Sequence, residues 1–253
     1  WAGRSAADRA AILRRAAEEL EARRGELITR MAAEGGKTIE QSDPEVSEAI
    51  DFARYYADRA LELDPDASLH TDGARFTPDV LTLVTPPWNF PVAIPIGGVL
   101  ASLAAGSAVI IKPAPPVPGC TETAVAALHA AGVPEDLLQV VRSDEGDVGR
   151  ALVTHEGVDT VVLTGAAETA ALFSSWRAGR ERGPRVLAET SGKNALVITP
   201  AADYDLAVAD LVKSAFGHSG QKCSAASLGI LVGSVADSER FRRQLIDAVA
   251  SLR

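Results

Sequence analysis

The sequence predicts an α/β fold: a doubly wound, mostly parallel sheet behind an amino-terminal helical segment. Three observations predict it. The first third carries apolar residues only at helical spacing. From residue 80 onward, short apolar runs of strand length alternate with helical patterns, the rhythm of units whose strands pair in parallel. Glycines and prolines fall at the joints between them. The 253 residues, 47% hydrophobic and 23% charged, suit one large domain or two small ones, either able to bury a substantial core.

Taken in order, Ser5 with Asp8 three residues on resembles a capping box. Ile12, Leu13, Ala16 and Leu20 follow at helical spacing, and so do Leu27, Ile28 and Met31. Val46, Ile50, Ala53, Ala57 and Ala60 mark a further helix, stopped by Asp64-Pro65-Asp66. Strands are expected at 80–84, 108–111, 138–141, 159–163, 185–188, 195–198 and 228–232. Helices are expected at 96–105, 121–131, 146–154, 167–176, 205–216 and 238–252, the first two closed by Gly106 and Gly132. In such sheets ligands bind beyond the carboxyl ends of the strands.

Composition narrows the function. A net charge of −9 and a pI near 5.0 give no electrostatic footprint for nucleic acid or anionic membranes. Two cysteines exclude a disulfide scaffold and suit a reducing compartment, so a cytoplasmic protein is expected. The polar start shows no signal peptide, and the apolar run 92–111 is broken by Pro95, Gly97, Gly98 and Gly106. The first residue is Trp1, so a piece of a longer chain is expected. His70, His129, His155 and His218 are scattered without metal-ligand spacing, so no metal is expected.

Four loops after strands, and one after a helix, can carry chemistry. In Pro86-Pro87-Trp88-Asn89-Phe90-Pro91 three prolines stiffen the chain around a single amide. A rigid amide donor suits an oxyanion, but a stiff turn in which Asn89 caps its own backbone is the commoner reading. Lys112, after the run Ile110-Ile111, can bond a ribose or a phosphate, or be an ordinary solvated lysine at a strand end. Gly165 stands where a strand meets a helix, whose free amides attract a pyrophosphate. Glu189, expected in the loop Glu189–Asn194 between two strands, can be a general base if partly buried, or an exposed turn residue. Last comes Gly217-His218-Ser219-Gly220-Gln221-Lys222-Cys223-Ser224. A thiolate needs nearby cations or amides, which Lys222 and the turn can supply; a buried structural thiol is the competing reading. Cys120, beside Gly119 at a helix start, is read as structural.

Together and in this order, "PPWNFP" at 86–91, "IIKPA" at 110–114, "LTGAAETA" at 163–170, "ETSGKN" at 189–194 and "GQKCS" at 220–224 resemble the aldehyde dehydrogenase superfamily. The resemblance covers essentially the whole chain. "SAFGHSGQKCSA" and "AETSGKNA" are most similar to the Δ1-pyrroline-5-carboxylate dehydrogenases, which oxidise L-glutamate γ-semialdehyde to glutamate. The version here resembles the aldehyde dehydrogenase part of bacterial bifunctional proline-oxidising enzymes.

The resemblance implies that Cys223 attacks the aldehyde, that Asn89 and the Cys223 amide hold the oxyanion, and that Glu189 activates water. It implies NAD, with NADP not excluded, held by Thr85, Pro86, Trp88, Lys112, Gly165, Ala166 and Thr190. It assigns Phe90, Lys222 and Ser224 to the substrate. Ala166 replaces the usual serine, and Pro115 the acid that repels a 2′-phosphate in NAD-preferring relatives. It further implies a dinucleotide-binding domain over 1–188, the start of a catalytic domain over 189–253, a homo-oligomer, and fusion to a proline dehydrogenase domain. Two alternatives remain open: another aldehyde substrate, and a chain that binds dinucleotide without turnover.

Overall fold

The computed structural model describes residues 1, 3–64, 76–143, 146–179 and 183–252. Pro65 and Asp66 of the expected helix stop, and His70, lie outside the described residues. The chain divides into two compact units, Trp1–Thr190 and Ser191–Arg253.

The first unit opens with three helices: α1 (Ala6–Ala22), α2 (Arg24–Gly35) and α3 (Ile39–Glu62). Ser5 caps α1, its Oγ accepting from the Asp8 amide at 3.0 Å and donating to the Asp8 carboxylate; the first is the N-cap half of the expected box. Gly36 ends α2 at φ 64°, a left-handed conformation that glycine adopts without a Cβ clash. There follow β1 (Leu81–Thr85), α4 (Ala93–Ala105), β2 (Ala108–Ile111), α5 (Pro118–Ala130), β3 (Leu138–Val140), α6 (Asp147–Thr154), β4 (Thr160–Gly165), α7 (Ala167–Arg177) and β5 (Arg185–Thr190).

The five strands form one wholly parallel sheet in the order β3-β2-β1-β4-β5. The order reverses between β1 and β4, so the sheet is doubly wound as expected. Successive residues of β1 point to opposite faces. Val84 joins a core with α1, α3, α4 and α5, through Leu13, Leu20, Val46, Leu100 and Leu128. Leu83 joins a second core with Val153 of α6 and Phe173 of α7. Burial on both faces explains why these strands read as apolar runs rather than alternations.

The second unit holds β6 (Asn194–Ile198), α8 (Tyr204–Phe216), β7 (Ala226–Leu231) and α9 (Glu239–Ala250). β6 and β7 pair in parallel in a sheet of their own. Ile198, Ala207, Val208, Val235 and Phe241 make its core. Asp203 caps α8 through the Asp205 and Leu206 amides, and Ser238 caps α9. Among the described residues no helix is long and apolar enough to cross a membrane.

Candidate active site

Because every strand of the five-stranded sheet runs the same way, Lys112, Thr85, Gly165 and Thr190 come to one edge, in that order across the sheet. The register makes this explicit: Val84 lies opposite Ile111, Thr85 opposite Leu163, and Gly165 opposite Thr190. Lys112 donates its amide to the Val84 carbonyl at 2.9 Å. It is buried, not the solvated strand-end lysine of the ordinary reading. Burying a lysine is costly unless its charge is met.

Two helices start at the switch between β1 and β4, and they differ. At α4 the first amides are taken: Val92 and Ala93 donate to one Glu45 carboxylate oxygen at 2.7 and 3.1 Å. At α7 the preceding residue, Ala166, makes no side-chain cap bond. The Thr169 amide bonds the Ala166 carbonyl at 3.1 Å, but an alanine brings no side-chain acceptor to this first turn, and the positive end of the helix favours an anion. A Cβ on Gly165 would meet only Leu163 Cδ1, at an ordinary 3.6 Å. No protein contact therefore demands glycine there, which fits a ligand passing close to the backbone. The first turn of α7 suits a pyrophosphate; that of α4 does not.

Asn89 and Phe90 are half-buried in the turn between β1 and α4, and Trp88 is exposed. Pro86 is buried. The turn is held from the α2–α3 link and from α5: Lys37 Nζ donates to the Asn89 carbonyl at 3.0 Å, and Thr121 Oγ1 to the Pro91 carbonyl at 3.2 Å.

Glu189 differs from expectation. It lies on β5, opposite Thr164, because the strand runs two residues past the expected end. It is exposed rather than partly buried. Lengthening the strand satisfies two more pairs of backbone groups, which a loop would leave to solvent.

In the second unit Cys223 is exposed, which removes the buried-thiol reading. Cys120 is buried, and burial first, then the Glu34 carboxylate, pushes its thiol up to about 12, which fits the structural role read for it. The turn Gly217–Gly220 before Cys223 is left-handed, with His218 at φ 54°, Ser219 at φ 55° and Gly220 at φ 70°. Asn194 Nδ2 bonds the Cys223 carbonyl at 2.6 Å and the Ala225 carbonyl at 3.2 Å. Lys222 is half-buried and Ser224 exposed. Among the described residues no three histidine, cysteine or carboxylate side chains gather to hold a metal.

A family model described as "Aldehyde dehydrogenase family" matches residues 1–253. The chain belongs to the aldehyde dehydrogenase family. It is 35% identical over 246 residues to the 1-pyrroline-5-carboxylate dehydrogenase of Oceanobacillus iheyensis, covering 94% of this chain and 48% of that protein. It is similar to the solved proline utilization A (PutA) of Corynebacterium freiburgense, with 57% identity and a TM-score of 0.90, covering 99% of this chain and 25% of that one. It also superposes on the Thermus 1-pyrroline-5-carboxylate dehydrogenase with bound NAD at a TM-score of 0.92 and 32% identity, covering all of this chain and 50% of that one. The chain spans about half the length of the curated relatives it matches.

For a member of this family, sequence reasoning missed three residues. Asn194 stood inside a quoted motif without a role, and its two carbonyl bonds tie the segment at Cys223 to β6. Lys37 and Glu45 form a buried ion pair beneath the Asn89 turn. Glu45 carried a readable signal: with Ala49 and Ala53 it falls on the buried stripe of α3, where a carboxylate needs a partner. Lys37, in the α2–α3 link, carried none.

Proposed function

We propose that the whole protein oxidises L-glutamate γ-semialdehyde to L-glutamate with NAD, as the aldehyde-oxidising step of proline breakdown. The observation that carries this reading is the shared name of relatives similar over nearly the whole chain, 1-pyrroline-5-carboxylate dehydrogenase. The unit Trp1–Thr190 is read as the dinucleotide-binding part and Ser191–Arg253 as the start of the catalytic part. Fusion to a proline dehydrogenase domain follows from the similarity to PutA.

In this mechanism the Cys223 sulfur adds to the aldehyde carbon, and the carbonyl electron pair moves to oxygen. The Asn89 amide and the Cys223 backbone N–H donate to that oxyanion. The nicotinamide, when bound, accepts the hydride that leaves the carbon. Glu189 then takes a proton from the water that displaces the thiol and releases the carboxylic acid. The α7 amides after Ala166 would hold the pyrophosphate, and Lys112 would bond the adenosine ribose. Thr85, Pro86, Trp88 and Thr190 line the cofactor edge. Phe90 packs on the substrate's methylenes, and Lys222 and Ser224 meet its carboxylate.

The test is NAD reduction by the whole protein with this semialdehyde and with uncharged aldehydes of equal length. A preference for the uncharged aldehyde defeats the substrate assignment, and turnover by Cys223→Ala defeats the mechanism. Calorimetry of NAD and NADP on the 253-residue chain reads the cofactor apart from catalysis. With Pro115 in place of the acid, we expect NADP to bind within about tenfold of NAD, the discrimination one lost repulsion removes.

A further inference from the structure

Lys37 and Glu45 are used by no step above, yet their side chains are only 1% and 0% exposed. Removing two charges from water is expensive, and a buried ion pair is often no more stable than apolar residues of the same volume. The pair therefore contributes something other than stability, and its contacts say what.

Lys37 Nζ donates to the Asn89 carbonyl at 3.0 Å and stands 4.3 Å from the centre of the Phe90 ring. Its third interaction is with Glu45 Oε2. Glu45 uses its other oxygen to accept the Val92 and Ala93 amides. Val92 has no side-chain cap of its own, so a residue of α3 caps α4, and its negative charge sits at that helix's positive end. Between these anchors Pro91 has no N–H to offer and gives its carbonyl to Thr121. The backbone is thus gripped at 89, 91, 92 and 93, around the two side chains assigned to oxyanion and substrate.

We propose that Lys37 and Glu45 are positioning residues, which fix the turn carrying Asn89 and Phe90 so that the amide is aimed before charge develops. This rests on the reading of Asn89 as the oxyanion donor. An amide free to swing forfeits much of its advantage, because the gain lies in orientation settled beforehand.

Glu45→Gln tests it in the whole protein. The variant keeps an acceptor for Val92 and Ala93 but removes the charge facing Lys37. We expect kcat to fall roughly tenfold while KM for NAD stays within about twofold. In an Asn89→Ala background the same change should lower kcat less than about twofold, since the group it aims is gone. An equal loss in both backgrounds, or no loss in the first, overturns the proposal. Lys37→Met with Glu45→Gln, neutral overall, serves if the single variant does not fold.

A second readout needs no turnover. With 5-fluorotryptophan incorporated, Trp88, next to Asn89, gives a fluorine resonance assigned by Trp88→Phe. It should broaden or split in Glu45→Gln, while Trp1 and Trp176 stay sharp. An unchanged Trp88 signal overturns the proposal even if the reaction reading has failed. A Cys223→Ala protein that still turns over overturns that reading and leaves the fluorine result to decide this one.

Discussion

Within these 253 residues the two units cover parallel strands of similar residues to different extents. In Trp1–Thr190, Leu83 and Val161 are both 0% exposed, with packed helices on both faces of the sheet. In Ser191–Arg253, β6 and β7 leave Val197 at 57%, Leu228 at 53% and Ile230 at 41%. The first unit combines packing with long-range bonds: Lys112 and Gly165 stand at a sheet packed on both faces, and the Asn89 turn is gripped by Lys37, Glu45 and Thr121. The second holds the segment at Cys223 by local devices, namely two hydrogen bonds from the Asn194 amide and a left-handed turn. Packing resists single changes in proportion to what they empty; a local device fails when one bond is removed.

The two thiols give the sharpest contrast and the largest expected effect. Cys120 is closed to solvent, and its pushed-up thiol leaves little thiolate at pH 8; thiolate is the reactive form. Cys223 is exposed. In the native 253-residue chain a disulfide reagent should modify Cys223 at least ~1000-fold faster than Cys120. One thiol should titrate before denaturant and two after, and Cys223→Ala should remove the first. Labelling of Cys120 in the native chain would erase the distinction between the units.

Core truncation comes next. Leu100 is fully buried in the core of the first unit, whereas Leu228 is half in solvent. Leu100→Ala should cost about 3 kcal/mol and Leu228→Ala less than about 1 kcal/mol, as read from urea unfolding of each variant. Equal costs would mean that β7 is as well packed as the first sheet.

The same contrast explains what the sequence made legible. The α/β class, the helical start and the order of strands were readable because Val, Ile and Leu runs bounded by Gly106, Gly132 and proline carry their own local signal. The cap at Ser5 was readable for the same reason. The grip on the Asn89 turn was not. Lys37 lies 52 residues from Asn89, and Glu45 lies 47 from Val92, so no local pattern couples them. Glu189 was placed in a loop because its polarity outweighed the pairing with Thr164, a partner 25 residues earlier. The burial of Lys112 depends on strands above and below it in the sheet, which a lysine's composition cannot announce.

Alkaline pH should find the first unit through Cys120. Its thiol is pushed from the usual 9.0 up to about 12 in the fold. Below 9 both states hold the proton and stability is flat. Between 9 and 12 the unfolded chain loses it while the folded chain keeps it, so stability falls as pH rises. By pH 10 the loss is about 1 kcal/mol. Cys120→Ala should be less stable at pH 7 but show a flatter slope above pH 9, measured as midpoint against pH. An identical slope would place the alkaline sensitivity elsewhere.

The smallest effects belong to the turn before Cys223. Ser219 holds φ 55° with a side chain attached, at a cost of about 1 kcal/mol that glycine escapes. Glycine returns part of that gain through the greater freedom of the unfolded chain, so Ser219→Gly should stabilise the second unit by only about 0.5 kcal/mol. Gly220→Ala is its counterpart. It meets both φ 70° and a Cβ contact of 3.0 Å with the Ala215 carbonyl, so it should destabilise by more than Ser219→Gly stabilises. If local conformation holds the segment at Cys223, Gly220→Ala should also speed hydrogen exchange from 217 to 224 and change the labelling rate of Cys223, with exchange in β1 and β4 unaltered. Faster exchange spread evenly through both units would show instead that the turn depends on the packing of the chain as a whole.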